Sequence, residues 1–363
     1  MNRPAIDLLD LGAYRVPTER PESDGTLDWD HTGLVVVKVG CGRALGLGWT
    51  YGSRAIAAVI DDILRPVVVG GDPFGTEGLW HEMNRSLRNA GNRSLGAMAV
   101  AAVDIALWDL QARLAGLPLL GLWGAAREAV PVYGSGGFTS YTESQLARQL
   151  AGWVGDGISR VKMKVGREPS RDPRRVAVAR KAIGAAATLM VDANGAYDVK
   201  EAAGMAERFR TSNVVWFEEP VSSEDWEGLR LLRERAPPTV EIAAGEYGDT
   251  PSYFLRLLQA GAVDCLQADV TRCGGFTGFL KVAALAESFQ IPLSAHCSPQ
   301  LHAHVGCAAT SLRHVEYFHD HVRIERLLFD GCLPAAKGVL RPDRTRPGHG
   351  LAFKGADAAR YAV

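Results

Sequence analysis

The chain has 363 residues, and its 40 Lys and Arg against 41 Asp and Glu leave a formal charge of −1, which offers no electrostatic footprint for a nucleic acid or an anionic membrane. With 47% hydrophobic and 22% charged residues, the composition is that of a globular protein able to bury a large core, and it excludes disordered and collagen-like chains. The opening MNRPAIDLLDLGAYRVPTERPESDG interrupts every apolar stretch with charge, so it contains no signal-peptide core. No later apolar run reaches the roughly 18 residues that a membrane span needs. Cys41, Cys265, Cys273, Cys297, Cys307 and Cys332 form no CxxC pair and read as reduced thiols of a cytoplasmic protein.

The first 125 residues carry strand patterns around DLLDLGAYRV and GLVVVKVG, then helical patterns around SRAIAAVIDDILRPVVVG and GAMAVAAVDIALWDLQARLAG. They form an α+β capping segment. The second helix is apolar over most of its surface, which places it between two layers, and it stops at Gly116 with Pro118 beyond. From about 126 to 330 a single grammar repeats, in which a short β-branched run ends in a polar residue and a helical stretch follows. The runs are VPVYGSG near 130, RVKMKV at 160–165, TLMVDAN at 188–194, VVWFEE at 214–219, TVEIAAGE at 239–246, CLQADV at 265–270, IPLSAH at 291–296 and HVEYF at 314–318. Stretches such as ESQLARQLAGWVGDG, DPRRVAVARKAIG and GFLKVAALAESFQ supply the crossovers. Eight βα units close most simply into a (β/α)₈ barrel. An open doubly wound sheet would carry a GxGxxG turn after its first strand, which YGSGGFTSY does not match. The tail at 331–363 is rich in turn residues and is expected to return and complete the cap.

In such a barrel the active site lies at the C-terminal ends of the strands, here Lys164, Asp192, Glu218, Glu246, Asp269, His296 and Glu316. They are separated by 28, 26, 28, 23, 27 and 20 residues, about one βα unit each, so all seven can converge on one mouth. Carboxylates buried in such number need a cation. Asp192, Glu218 and Glu246 on successive strands supply hard oxygen ligands suited to Mg²⁺, with coordination positions left for water and substrate. The lack of histidine or thiolate ligands on those strands argues against zinc. Lys162 and Lys164 share a strand face, so the second ammonium, together with a nearby divalent cation, is expected to depress the pKa of Lys164 and make it a general base near neutral pH, while Lys162 binds an oxyanion. Asp269 can fix the tautomer of His296 and raise its basicity. Glu219 alternates away from Glu218 and is expected to bond the barrel wall. His302 and His304 read as packing or supporting residues, and Cys273 and Cys297 as small buried thiols.

KMKVG, VDANGAY, WFEEP, AAGE, LQADVTRCGG, SAH and HVEYF, in that order and at those spacings, resemble the enolase superfamily and within it the mandelate racemase subgroup. The resemblance covers about 130–330 and extends to AVAAVDIALWDLQARLAGLPLLGLWG and the PGHGL tail. It implies Lys164 as base on one face, Lys162 as electrostatic partner of the substrate carboxylate, and Asp192, Glu218 and Glu246 as Mg²⁺ ligands. It also implies Asp269 and His296 as a dyad on the opposite face, Glu316 as a hydrogen-bond partner of a carboxylate oxygen, and Asn194 as a substrate contact. In this family a loop in the place of ERPESDGTLDWDH closes over substrate, which makes Trp29 and His31 specificity candidates. Tyr247, Arg272 and Cys273 differ from the racemase itself, which argues against its aromatic substrate. Arg272 faces either the substrate space or a salt bridge to the cap.

The reading that results is a Mg²⁺-dependent enzyme that removes the proton α to the carboxylate of a small-molecule acid and stabilises the enediolate on the metal. The expected outcome is dehydration of a sugar acid to a 2-keto-3-deoxy acid, with Asn194, Arg272, Tyr247 and His31 binding hydroxyls. Racemisation or epimerisation of a 2-hydroxy acid and lactone cycloisomerisation are the alternatives within the family. Outside it stand a Schiff-base aldolase at Lys164 and a barrel that only binds an acid. A homo-oligomer is expected.

Overall fold

In the computed structural model, which describes residues 4–363, the chain begins with a long antiparallel hairpin of β1 (Leu8–Ser23) and β2 (Asp28–Cys41), extended by β3 (Ala44–Tyr51). The sequence pattern did not reveal β3, because glycine is a poor strand residue. Gly46 and Gly48 are there to let a helix approach: added Cβ atoms would stand 2.1 Å from the Ala106 carbonyl oxygen and 2.2 Å from that of Ala102. Next come α1 (Ala55–Val59), a π-helical turn (Ile60–Leu64), α2 (Arg65–Val68), α3 (Thr76–Ser86), α4 (Leu95–Ala115) and α5 (Leu119–Trp123).

Helix α4 carries the interface. It ends at Gly116 in the left-handed region, φ 68°, where glycine has no Cβ penalty. Its length and mean hydropathy, 1.4, pass for a membrane span although Asp104 and Asp109 interrupt the apolar run, and 78% of that window is buried inside the protein. One side packs on β2 and β3, and the other meets the barrel, where Asp104 accepts hydrogen bonds from the Thr277 backbone N–H at 2.9 Å and hydroxyl at 2.6 Å. This carboxylate satisfies orphan donors at the start of a barrel helix, a link worth about 1 kcal/mol.

The repeating region is a closed parallel barrel. Its elements are β4 (Val130–Gly136), α6 (Glu143–Gly155), β5 (Arg160–Lys164), α7 (Asp172–Ile183), β6 (Thr188–Asp192), α8 (Val199–Arg210), β7 (Val214–Glu218), α9 (Trp226–Arg235), β8 (Glu241–Ala244), α10 (Pro251–Gln259), β9 (Cys265–Ala268), α11 (Gly275–Ser288), β10 (Leu293–Ala295), α12 (Pro299–Ala308), β11 (Leu312–Phe318) and α13 (His319–Leu328). Parallel pairing of Val315 with Val132 through Phe318 with Ser135 closes the ring. All eight expected strands are present, but β8, β9 and β10 stop one or two residues short of the polar residues assigned to their ends.

The tail forms β12 (Phe329–Asp330), β13 (Val339–Leu340), β14 (Ala352–Phe353) and α14 (Gly355–Ala358). Strand β13 adds antiparallel to β4. Beyond it the His349 ring donates to the Leu47 carbonyl at 2.8 Å and its backbone N–H donates to Asp109 Oδ1 at 2.9 Å, tying the tail to β3 and α4. Gly348 is required at this crossing, since φ is 71° and a Cβ would stand 1.9 Å from Asp109 Oδ1. The six cysteines are unpaired.

Candidate active site

Strand register brings the charged residues together: Lys164 pairs with Asp192, and Asp192 with Glu218. Gly245, at φ 126°, bends the chain off β8 close under the Gln267 carbonyl, where a Cβ would stand at 2.3 Å, and so delivers Glu246 to the mouth. Carboxylate oxygens of Asp192, Glu218 and Glu246 lie within 4.8 Å of one another. Lys162 Nζ donates to Glu218 Oε1 at 2.5 Å and lies 2.9 Å from Glu316 Oε1 and 3.4 Å from Asp192 Oδ2. Lys164 Nζ donates to Asp192 Oδ2 at 2.5 Å. Both ammonium groups thus point into the barrel.

Across the mouth, His296 Nδ1 donates to Asp269 Oδ2 at 2.8 Å. Asp269 Oδ1 accepts from the Thr271 backbone N–H at 2.7 Å and hydroxyl at 2.8 Å. Burial alone would raise the Asp269 pKa, but the His296 hydrogen bond, with His296 and Arg272 beside it, outweighs burial and holds it below the usual range. His302, fully buried, accepts the Val270 N–H at 3.0 Å and donates to the Cys297 carbonyl at 2.8 Å. It therefore clamps the ends of β9 and β10 in the supporting role expected of it. Burial pushes its pKa down to about 4, which keeps it neutral.

The structure corrects several expectations. With Asp192 free to pair with it, Lys164 has a raised pKa, since burial and Lys162 lower it but Asp192, followed by Glu246 and Glu218, outweighs them; the depression expected of Lys164 therefore depends on a cation that would take up Asp192. Glu219 does not bond the wall. Its backbone adopts φ 37°, its Oε1 is buried without a partner, and burial together with Glu246 and Asp192 raises its pKa strongly, so it is a fourth member of the carboxylate group. Arg272 pairs with barrel residues and not with the cap, at 3.6 Å from Glu246 Oε1 and 3.7 Å from Asp269 Oδ2, and its guanidinium lies 5.1 Å above the Tyr247 ring. Six carboxyl groups, Asp192, Glu218, Glu219, Glu246, Asp269 and Glu316, share the mouth with Lys162, Lys164, Arg272 and His296, and burial together with their crowding raises the Glu218 and Glu219 pKa strongly. Such crowding of buried hard-oxygen donors is the setting in which a divalent cation fits.

The tip of the β1–β2 hairpin lies across the strand ends. Gly25 abuts the Ala193 and Val165 carbonyls, where a Cβ would stand at 2.3 and 2.8 Å, and Thr26 Oγ1 donates to the Asn194 carbonyl at 3.4 Å. Asn194, at φ 46°, donates its N–H to Asp192 Oδ1 at 2.9 Å and leaves its own Oδ1 buried and unpartnered. Trp29 packs edge-on against Phe138 and donates to Glu22 Oε2 at 3.0 Å. His31 is not brought to the mouth; it lines a separate surface cavity beside Tyr14, Arg54 and Val363. Tyr247 and Arg272 line a cavity of about 420 Å³ with Arg93, Ser94 and Tyr253.

Glu22 yields a pH prediction. Burial, then the nearby Asp320 carboxylate, push its pKa from the ordinary 4.5 up to about 8. A pKa raised in the folded state gives stability that is complete below pH 4.5 and is lost as pH climbs through about 8. Glu22→Gln keeps an acceptor for Trp29 and has no charge to bury. Between pH 5 and 9 it should gain on the order of 2 kcal/mol relative to the wild type in urea unfolding. Parallel pH dependence of the two proteins would disprove the assignment.

Comparison with known proteins agrees with this geometry. Residues 18–124 match the mandelate racemase / muconate lactonizing enzyme N-terminal domain, and residues 145–358 match the enolase C-terminal domain-like family. The chain is 34% identical to a 3,6-anhydro-alpha-L-galactonate cycloisomerase of Streptomyces coelicolor over 99% of both chains. It superposes with TM-score 0.97 and 54% identity on a mandelate racemase/muconate lactonizing enzyme-like protein of Rubrobacter xylanophilus, covering 99% of this chain and 100% of the other. A racemase of S. coelicolor with bound magnesium superposes with TM-score 0.93 and 31% identity over 99% of this chain and 100% of that one. Other relatives include an L-talarate/galactarate dehydratase, an arabinonate dehydratase and an L-Ala-D/L-Glu epimerase.

Proposed function

The chain belongs to the mandelate racemase/muconate lactonizing enzyme family of the enolase superfamily, and from that premise we propose that it eliminates a β-oxygen substituent from a polyhydroxylated sugar acid, dehydrating it to a 2-keto-3-deoxy acid. Asp192, Glu218 and Glu246 would hold Mg²⁺, since they are hard oxygen donors crowded within 4.8 Å of one another. When bound, that ion supplies positive charge opposite the developing enediolate and competes with Lys164 for Asp192, favouring the neutral amine.

The remaining steps belong to the chain's own side chains. Lys162 pairs with the substrate carboxylate and Glu316 hydrogen-bonds one of its oxygens. Lys164 Nζ takes the α-proton, while His296 Nε2, its ring oriented by Asp269, delivers a proton to the departing β-oxygen. The hairpin tip over Ala193 and Val165 limits the entry of water. In this reading, residues 1–125 with 331–363 act as the cap over a barrel of 126–330.

The observation that carries the choice of substrate is the cavity beside Arg272, where hydrogen-bonding side chains such as Arg93, Ser94, Tyr247 and Tyr253 stand next to the apolar Met98. Substrate hydroxyls can add hydrogen bonds to these side chains, which an aryl group cannot. The full-length similarity to a cycloisomerase favours one second reading, in which the leaving β-oxygen is a ring ether and remains in the product.

Purified protein with Mg²⁺ in deuterated water, presented with aldonates, uronates and aldarates, tests the reading. The expected product is a 2-keto acid, one water lighter than its substrate, with deuterium next to the carbonyl. A deuterated keto acid of unchanged composition would identify ring opening. Labelled starting material with no keto acid, or robust racemisation of an aryl 2-hydroxy acid alone, would overturn elimination.

A further inference from the structure

We propose that His296, Cys297 and Glu316 form a second metal site, selective for a borderline cation such as Zn²⁺, whose occupation withdraws His296 from proton transfer. His296 Nε2 lies 3.3 Å from Cys297 Sγ and 3.7 Å from Glu316 Oε2, and Cys297 Sγ lies 3.4 Å from Glu316 Oε2. A tetrahedral zinc, with Zn–S about 2.3 Å and Zn–N and Zn–O about 2.0–2.2 Å, sets its ligand atoms roughly 3.4–3.6 Å apart. The three donors therefore already stand within a few tenths of an ångström of the required triangle.

Two further observations point the same way. Asp269 holds the Nδ1–H of His296, which leaves the Nε2 lone pair directed at the thiol and the carboxylate; a carboxylate that orients a histidine in this manner is the usual support of a zinc ligand. Glu246 Oε2 is buried, accepts no hydrogen bond and lies 3.3 Å from His296 Nε2, an unpartnered oxygen aimed at the same space. The backbone presents the thiol, since Cys297 and Ser298 are consecutive non-glycine residues at φ 52° and 41°. Conformations of this kind persist only where the surroundings impose them.

Charge and donor type separate this site from the carboxylate triad. Neutral imidazole, thiolate and carboxylate balance a dication, and binding releases the thiol proton to solvent. Imidazole and thiolate favour Zn²⁺ over Mg²⁺, whereas three carboxylates favour Mg²⁺. Zinc would then inhibit with Mg²⁺ in place, because Nε2 is the atom assigned to proton delivery; this consequence rests on the proposed elimination, but binding does not.

The test uses whole protein with Mg²⁺ in excess. One equivalent of Co²⁺ should produce the near-ultraviolet absorption of a thiolate-to-cobalt charge transfer, and X-ray absorption at the zinc edge should show one sulfur ligand. Cys297→Ser should remove the cobalt band, weaken Zn²⁺ binding by roughly tenfold or more and lessen inhibition by Zn²⁺. Coordination of zinc in the wild type by oxygen and nitrogen alone, or a cobalt band that survives in Cys297→Ser, would overturn the site. The zinc-edge spectrum decides the question even if the variant fails to fold. Sulfur ligation without inhibition would retain the site but overturn its effect on His296.

Discussion

Replacing Asp192 with Asn is expected to lower turnover by about 10³-fold or more while the chain stays folded. Asn keeps the shape of the side chain and an oxygen for the Asn194 N–H, which donates to Asp192 Oδ1 at 2.9 Å. It loses the charge that holds Lys164 at 2.5 Å and that would hold one side of the cation. These two losses act in opposite directions on the base. Without Asp192 the largest influence raising the Lys164 pKa is gone, so the amine becomes easier to deprotonate, and base strength alone would predict a variant as active as the wild type or more so. Loss of activity therefore reports the loss of the ligand. The stability readout is equally specific. Saturating Mg²⁺ at about 100 times its dissociation constant should stabilise the wild type by about 2.7 kcal/mol and leave the variant nearly unchanged. Breaking a buried ion pair ordinarily costs about 3–5 kcal/mol, but here it also removes one of six crowded carboxylates, and Asp192 is a principal cause of the raised Glu218 pKa after burial itself. Full turnover after exhaustive chelation, or Mg²⁺ stabilisation retained in Asp192→Asn, would refute the cation site.

The barrel was legible because parallel strands buried on both faces read as β-branched runs with a polar residue at the end, and eight such runs at even spacing admit few topologies. What remained hidden depends on three-dimensional facts that periodicity does not carry. Strand β3 was masked by the glycines that admit α4, and their cause lies 54 and 60 residues away, at Ala102 and Ala106. Glu219 was assigned to the wall by strand alternation, but alternation fails where φ turns positive, at 37°. The sequence shows that Lys162 shares the strand face of Lys164 but not that Asp192 lies 2.5 Å away, where it raises the Lys164 pKa as long as no cation takes up that carboxylate. His31 shares strand β2 with Trp29, yet β1 breaks register between Pro17, opposite His31, and Glu22, opposite Trp29, and His31 lines a separate surface cavity, so proximity in sequence did not bring it to the mouth. Cys297 could be read as a small buried thiol, which it is, but its approach to both His296 and Glu316 depends on two left-handed residues that no composition rule suggests.

His296→Asn is expected to abolish net turnover, by about 10³–10⁴-fold, while exchange of the α-proton with solvent continues at Lys164. The two groups occupy different parts of the barrel wall, for Lys164 ends β5 and His296 follows β10, with β4 and β11 between them on the shorter path round the ring. Lys164 is tied to Asp192 at 2.5 Å and His296 to Asp269 at 2.8 Å, so neither depends on the other for its orientation. Asn at position 296 retains an N–H that can reach Asp269, and the supports of Asp269 from Thr271 remain, which keeps the loss chemical and not structural. In deuterated water the variant should then wash deuterium into the α-position of unconverted substrate and release no keto acid, because the carbanionic species forms but its β-oxygen has no proton donor. Lys164→Met should show the opposite pattern, with neither exchange nor product from a substrate whose α-proton faces Lys164. If the two variants lose exchange alike with every epimer of an accepted acid, one group serves both steps and the division of labour between the two sides of the mouth is wrong. If His296→Asn turns over at the wild-type rate, the proton for the leaving group comes from elsewhere, and Arg272, which lies 3.7 Å from Asp269 and lines the cavity with Tyr247, becomes the residue to replace next.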